Sequence, residues 1–549
     1  MRMKGIPAAA VVVVLSALVG GVFGSRVVQT QDRTTDRLRI YTAALAAIES
    51  QYVDKVDAPQ LVEASIDGML RTLDPHSSYL DPVQYARLRE QQEGRYPGIG
   101  ISILRINAEI TVTALFEGSP AYRAGIRRND VIARVGQPKD PKNPKSEIAW
   151  EDTKGWDTAD VVKRVRGPKG TTVEISIRRP GVDALIDLTV ERDQIKITTV
   201  RTAFMIAPGT GYVRLQDFSE TTDDELGEAL TKLKAGGLQR LVLDLRDNPG
   251  GPLDQAIAVS SRFLRRGEKV VYTRGRIRNV DEDYYAPAGG NTDLPLIVLV
   301  NRNSASASEI VSGAMQDHDR GLIIGETTFG KALVQGVYNI SNGAGLALTT
   351  GRYYTPSGRL IQRPWDGAFD EYLTYTYRDQ KGSREHAAAD LKLTDSGRKV
   401  YSGGGIEPDH FIAGPVEGFT PSRFSRSLRE RGAFISFAER FTREGDSRAG
   451  ARSAAKHRIT QGWVVTDAIV AEFKDFMTSE RVRVDEAAFK ADVAFIKAMI
   501  RFEVDNELFG IEEARRNLTK IDPQVQSALG FFDEARMLLA KKGPVPSEK

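Results

Sequence analysis

The apolar and polar positions divide the chain into stretches of different period. Residues Ile6 to Phe23 carry no charge, with Arg2 and Lys4 before them and Arg26 after, which is the layout of an export signal. Residues 22–24 are small enough at the key positions for cleavage near Ser25, and the run is equally long enough to stay as a membrane anchor. Residues 1–30 are therefore read as a signal peptide or an anchor. Leu38, Tyr41, Leu45 and Ile48, then Leu61, Ile66, Met69 and Leu70, recur at helical spacing and predict two amphipathic helices separated by Pro59. The stretch Leu73-Asp74-Pro75-His76-Ser77-Ser78-Tyr79-Leu80-Asp81-Pro82 carries two Asp-Pro pairs, which disfavour helix. It predicts a turn that closes a helical segment over residues 31–90.

From residue 97 the apolar period shortens to two, with Ile99, Ile101 and Ile103 on one strand and a second strand over 110–115. Turn signals at Gly118-Ser119-Pro120, Gly125 and Asn129-Asp130 follow. A stretch rich in Pro, Lys and Asp over 136–156 predicts a surface excursion. A helix over 158–166 and strands near 172–178 and 185–192 complete a β-rich module over 91–193. Strands and helices then alternate at 211–215, 222–234, 240–245, 253–264, 294–300 and 305–315, which predicts an α/β core over 194–415. Leu241-Val242-Leu243 and Leu296-Ile297-Val298-Leu299-Val300 are uninterrupted apolar runs, as expected of strands covered on both faces. Over 416–549, Val465, Ile469, Phe473 and Phe476, then Phe489, Val493, Ile496 and Ile500, form single helical faces. That helical region is read as separate, with packing or oligomerisation as its simplest role, and its last residues, 541–549, as a disordered tail. The fold class is α/β, in an α+β multi-domain arrangement.

Composition narrows the function classes. The 549 residues with 41% hydrophobic content allow several packed domains. A balance of 76 Lys+Arg against 73 Asp+Glu leaves +3, too small and too evenly spread for a nucleic-acid footprint. With no cysteine, neither a lipoprotein anchor nor a disulfide framework can form. There is no His-Glu-x-x-His, and Gly209-Thr210-Gly211 lacks the third glycine of a dinucleotide loop, so no metal or other cofactor is implied.

Three segments can carry chemistry. Asn301-Arg302-Asn303-Ser304-Ala305-Ser306-Ala307-Ser308-Glu309 joins a buried-type strand to a helix. A hydroxyl on the first turn of a helix lies beside unpaired N–H groups able to hold a developing oxyanion. Taken alone, such serines more often cap the helix, the role expected of Ser304. A serine nucleophile needs a base, and none of His76, His318, His386, His410 and His457 sits in a recognisable triad motif. Lys331 is the alternative, in a glycine-flanked loop before a strand-like run; at strand period it shares a face with Leu333 and Gln335, whose amide could orient the amine. Acting as a base at neutral pH asks that its pKa fall by about 3 units through burial, at a cost of about 4 kcal/mol. The third segment, Leu243-Asp244-Leu245-Arg246-Asp247-Asn248-Pro249-Gly250-Gly251, ends a strand in a turn where paired glycines allow close backbone approach, and by itself it reads equally as a tight turn.

As an ordered set these segments resemble the C-terminal processing peptidases, or tail-specific proteases. The resemblance runs from Leu73-Asp74-Pro75-His76-Ser77 through Gly98-Ile99-Gly100-Ile101, Gly118-Ser119-Pro120-Ala121, the Gly250-Gly251 and Ser306 segments, Gly325-Glu326 with Gly330-Lys331, and Tyr353-Tyr354-Thr355-Pro356-Ser357-Gly358-Arg359, to Gly405-Ile406-Glu407-Pro408-Asp409. It implies a catalytic Ser306 with Lys331 as base and Gln335 orienting the lysine. An oxyanion hole would come from Ala307 and the Gly250/Gly251 turn, while Asp317 is read as structural. It also implies a PDZ domain in the module over 91–193. Gly98, Ile99, Gly100 and Ile101 would receive a substrate's C-terminal tail, and Val161 and Val162 would wall the pocket for an apolar terminal side chain. The excursion at 136–156 departs from the family's tighter connection. The partners implied are protein or peptide substrates with apolar C-termini, an adaptor or activator protein, and a second copy of the chain; the place implied is outside the cytoplasmic membrane, in a periplasm or its equivalent. Two rivals stand beside this reading. One is a PDZ scaffold without catalysis, against which Ser306, Lys331 and Gln335 together count. The other is a Ser-x-x-Lys acylase using Ser453-Ala454-Ala455-Lys456, which lacks a Ser-Asp-Asn or Lys-Thr-Gly partner.

Overall fold

The computed structural model describes residues 35–137, 147–365, 372, 374–377, 385–414, 420–445 and 459–541. The leader at 1–30, the middle of the excursion, the Ser453/Lys456 motif and the last eight residues lie outside the described residues. The chain forms two units, residues 1–83 with 335–349 and residues 84–334 with 350–549.

In the first unit a helix α1 over 35–51 precedes α2 (Ala58–Arg71), whose first turn takes Pro59 at a position where a missing N–H costs nothing. The Asp-Pro segment is a turn built on one carboxylate: Asp74 accepts from the N–H groups of His76 and Ser77, both at 2.8 Å, and from Ser77 Oγ at 2.7 Å. Burial pushes the Asp74 carboxyl up, but these bonds outweigh it and leave it lowered. The turn does not simply end the helical segment; it leads into strand β1 (Ser78–Leu80), which pairs antiparallel with residues 345–347. Three residues are too few to show a strand period.

The second unit opens with α3 (Pro82–Glu93) and a β-rich module. Strands β2 (Arg95–Gly98), β3 (Ile101–Ile106), β4 (Glu109–Leu115), β5 (Val131–Gln137), β6 (Ala149–Asp152), β7 (Thr172–Arg178), β8 (Ile186–Glu191) and β9 (Asp193–Lys196) alternate with α4 (Pro120–Arg123) and α5 (Thr158–Val165). The sheet order is β3-β4-β5-β7-β8, with β6 on β5, so β3 is an edge strand. Ile110, Val112, Ile132, Ile175 and Val190 form the core under Val161 and Val165 of α5. The β2–β9 ladder, Arg95↔Lys196 to Gly98↔Asp193, pairs the ends of the module.

The core that follows contains β10 (Val200–Ala207), β11 (Thr210–Leu215), α6 (Thr222–Ala235), β12 (Arg240–Asp244), α7 (Leu253–Ser261), β13 (Lys269–Gly275), β14 (Glu282–Tyr285), β15 (Leu296–Val300), α8 (Ala307–Asp317) and β16 (Leu322–Gly325); then come β17 (Leu333–Asn339) and β18 (Gly345–Tyr354), whose residues 335–349 belong to the first unit, and β19 (Leu391–Leu393), β20 (Lys399–Tyr401) and β21 (His410–Phe411). A six-stranded sheet, β10-β11-β12-β15-β16-β21, is parallel except at β10–β11. Leu241 and Leu243 face α6, α7 and α8 on one side, whereas Val242, Ile297 and Leu299 face the other. That alternation is why the strands read as unbroken apolar runs.

The C-terminal region comprises α9 (Arg423–Glu430), α10 (Ala433–Gly445), α11 (Asp467–Ser479), α12 (Glu486–Ala491), α13 (Val493–Phe509), α14 (Ile511–Lys520), α15 (Pro523–Leu529) and α16 (Phe532–Lys541). It is not separate, as the sequence suggested. A bundle around Phe437, Phe473 and Ile496 has its own core, but Glu503 and Glu507 of α13 pair with Arg128 of the β-rich module, the latter at 2.8 Å. Val525 and Ala528 of α15, with Phe532, Ala535 and Leu538 of α16, cover the second face of the core sheet. Apolar spacing marks these helices; nothing in it names the surface they cover.

Candidate active site

The parallel strands β12 and β15 end side by side, Asp244 against Leu299, and the loops that leave them meet. Ser306 occupies the position before α8 with φ 55° and ψ −114°. A side chain there is strained by roughly 1–3 kcal/mol, so the surrounding bonds must fix it. Ser304 does not cap the helix, contrary to expectation: its Oγ accepts from the Asn301 N–H at 2.9 Å and donates to the Leu245 carbonyl at 2.8 Å, tying the two loops together.

Asn248 is the second tie. It is buried, its Nδ2 donates to Leu215 O at 3.0 Å, and its carbonyl accepts from Ala305 N–H and Ser308 Oγ, both at 3.0 Å. Its Oδ1 accepts from Gly250 N–H at 2.9 Å. The Gly250 N–H, expected at an oxyanion site, is thus engaged by the Asn248 side chain. Gly250 matters through its lack of a side chain. At φ 94°, a Cβ there would lie 2.7 Å from the Ala307 nitrogen and 2.8 Å from Ser306 Cβ. Gly251 packs as closely on Phe218, whose carbonyl would lie 2.2 Å from an added Cβ.

Sequence reasoning missed the group that joins Ser306 to Lys331. Glu309 is fully buried, and its carboxylate accepts from four donors. Oε2 takes the N–H of Ser306 at 2.9 Å and of Lys331 at 2.8 Å; Oε1 takes the N–H of Gly330 at 2.7 Å and the hydroxyl of Thr328. The same oxygen thus holds the backbone of both sequence-predicted residues. Tyr353 repeats the bridge from the other side, its hydroxyl lying 3.2 Å from Ser306 O and also meeting Lys331 O. Burial pushes the Glu309 carboxyl up to about 7, against the pull of its four hydrogen bonds. A signal was present in the Ser-x-x-Glu spacing, since a glutamate three residues after an N-cap reaches back to that N–H.

Lys331 is half-buried and precedes β17. Gln335 belongs to the first unit, where its Nε2 donates to His76 O at 2.7 Å. Asp317 is buried at the far end of α8, where its carboxylate accepts from Ser357 N–H at 2.9 Å, from Ser357 Oγ at 2.7 Å and from Arg359. Among the described residues no group of His, Asp and Glu side chains could hold a metal ion.

In the β-rich module a groove of about 90 Å³ runs between β3 and α5, lined by Gly98, Ile99, Gly100, Ile101, Val161 and Val162 among others. Ala121 N–H binds Ile99 O at 2.9 Å and Phe116 N–H binds Gly100 O at 3.1 Å, turning both carbonyls inward. Gly100 has φ 80°, and a Cβ there would lie 2.4 Å from Ser119 Cβ. Arg166, at the groove's end, stacks on Tyr96 and pairs with Glu90 at 2.6 Å.

Residues 209–367 match the model of peptidase family S41, and residues 24–83 match that of the activating protease CtpB N-terminal domain. The carboxy-terminal-processing protease of Bartonella bacilliformis is 39% identical over 358 residues, 63% of this chain and 79% of that protein. The carboxy-terminal processing protease CtpA of Bacillus subtilis is 34% identical over 343 residues, 62% and 70% of the respective chains. Among solved structures, the PDZ domain of a carboxy-terminal protease from Vibrio cholerae in complex with peptide is 28% identical, with 19% of this chain and 98% of that chain covered and a TM-score of 0.16.

Proposed function

Because the chain belongs to the carboxy-terminal processing proteases of peptidase family S41 and is thus a serine-type peptidase, we propose that it cleaves exported proteins with a Ser306/Lys331 dyad after its PDZ-type groove has taken their C-terminal tail. The observation that carries the dyad is the single Glu309 oxygen bonded to the N–H of both residues. Ser306 Oγ attacks the scissile carbonyl carbon and passes its proton to the Lys331 amine, which takes it in its neutral form. The carbonyl oxygen becomes an oxyanion facing the N–H groups of Ala307, at the start of α8, and Gly251. Collapse of the tetrahedral species returns the proton from Lys331 to the departing amine and leaves an acyl-enzyme, which water hydrolyses by the same steps in reverse order. Gln335 has the lysine-orienting role that its place in the family's motif implies.

The edge position of β3 supports tail recognition by strand addition, with N–H groups of residues 98–101 capturing the terminal carboxylate and the Val161/Val162 side receiving a small apolar side chain. The cation-flanked apolar leader supports export, with the protein periplasmic or held at the outer side of the cytoplasmic membrane. Exposed Leu38, Ile40, Ile48 and Tyr52 on and just past α1 support an assembly contact, with an activator or with a second copy.

The test is cleavage of an unfolded protein with an apolar tail by wild type, Ser306→Ala and Lys331→Ala, beside the same substrate with its terminal carboxylate blocked. Wild type should cut, both variants should be inert while folded, and the blocked tail should be cut more slowly. Cleavage by folded Ser306→Ala would remove the dyad; equal cleavage of blocked and free tails would remove the groove from recognition.

A further inference from the structure

Beneath the Gly250-Gly251 turn lies a buried charge cluster drawn from two distant parts of the chain. Arg246, the second residue after β12, is 6% exposed. Its Nε and Nη2 donate to Asp244, the latter at 2.7 Å, and Tyr212 Oη donates to the same carboxylate at 2.6 Å. The remaining faces of the guanidinium are met by the start of α15. Nη2 donates to Asp522 Oδ2 at 2.8 Å, and Nη1 donates to Gln524 Oε1 at 2.7 Å and to Asp522 Oδ1 at 3.3 Å. Burial pushes Asp244 up, but the Arg246 and Arg214 charges outweigh it and hold it down at about 2. The Asp244 carboxylate is therefore ionised across the neutral range.

Asp522 and Gln524 are themselves fixed. Asp522 caps α15, accepting from Gln524 N–H at 2.9 Å, and Gln524 Nε2 donates to Ile412 O at 3.2 Å, just past β21. Val525 and Ala528 on the next turn are fully buried against the sheet. On the other side of Arg246, Asp247 holds φ 60° and is pinned by Asn301, which accepts its N–H at 2.9 Å. The strained turn that leads to Gly251 thus has two anchors. One is the Ser306 loop, and the other is the C-terminal helix, which lies outside the stretch 209–367 matched by the family model.

We infer that Asp522 and Gln524 are positioning residues for the oxyanion turn, acting through Arg246, so that the C-terminal region is part of the catalytic apparatus. The inference rests on the reading above that Gly251 N–H faces the transition state. Loss of either contact lets the guanidinium shift toward Asp244 and tilts the turn, which weakens transition-state stabilisation while leaving ground-state binding in place.

The experiment uses the full chain with Asp522→Asn, which keeps the helix cap but removes the charge, and with Gln524→Ala. Met537→Ala, on the exposed side of α16, is the control. Cleavage kinetics, melting temperature and affinity for a peptide aldehyde that adds to the nucleophilic serine are measured together. Each variant should lose about tenfold in kcat, less than the loss from deleting an oxyanion donor outright. KM should stay within about twofold and aldehyde affinity should fall in parallel with kcat. Two results overturn the inference: kcat unchanged in both folded variants, or a loss that only tracks the unfolded fraction of each sample. Failure of the dyad reading is distinguishable, because Ser306→Ala would then still cut and the aldehyde would not bind covalently to wild type.

Discussion

At the scale of single residues the site depends on Glu309, whose four donors fill both carboxylate oxygens. In Glu309→Gln the amide nitrogen must face one donor pair, either Ser306 with Lys331 or Gly330 with Thr328. The lost acceptor costs about 1–3 kcal/mol, so kcat should fall about tenfold or more. Stability should move differently. The folded pKa of about 7 lies above the ordinary 4.5, so the wild type binds an extra proton on folding between these values and loses stability as pH rises through them. The variant has no such proton to lose. Its stability relative to wild type should therefore increase between pH 5 and 8, as thermal melts across that range would show; a difference that is flat with pH would mean Glu309 is not the titrating group.

Elements show why part of this was legible in the sequence and part was not. Apolar period located α5, α8, β12 and β15, because each buries a face against a sheet or helices. Motif order placed Ser306, Lys331 and the glycine turn. Period is silent about side-chain direction within a loop, so the reversal of Gly250 N–H toward Asn248, and the bracing by Ser304, appeared only in the fold. The groove between β3 and α5 sits between these cases: Val161 and Val162 were named as its wall, but Val161 is buried in the module core while Val162 is 37% exposed. Val162→Asp should thus leave folding intact and put a charge where the proposed apolar tail side chain would dock. Burial of one such side chain is worth about 1.5 kcal/mol, so tail-peptide affinity should fall about tenfold. Fluorescence anisotropy with a labelled peptide reads this directly, and unchanged affinity would move the terminal side chain elsewhere.

For the whole molecule, the least legible feature was the cover on the core sheet's second face. The unbroken apolar strands announced that a cover exists, and the periodic helices after residue 416 announced that one is available, but no sequence pattern joins the two. Phe532 fills that interface at 1% exposure. Its replacement by alanine should cost about 3–5 kcal/mol, seen as a lower denaturation midpoint of the catalytic core itself; destabilisation confined to the last helices would show that the core stands without them. Arg128 gives the same region a hold on the β-rich module through Glu503 and Glu507, so one C-terminal stretch touches both the groove-bearing module and the catalytic sheet.

The left-handed backbone of Ser306 has an evolutionary side. Glycine is the residue that this dihedral region accepts without penalty, and from a serine codon of the AGC or AGT type it is a single base change away. A lineage drifting under demand for durability alone would find that step attractive: the product would be a sturdier protein that still grips tails and releases them uncut. With Ser306 as the nucleophile proposed above, selection on the reaction would oppose selection on stability at this one position, and a sturdier, silent descendant would be raw material for a binding scaffold.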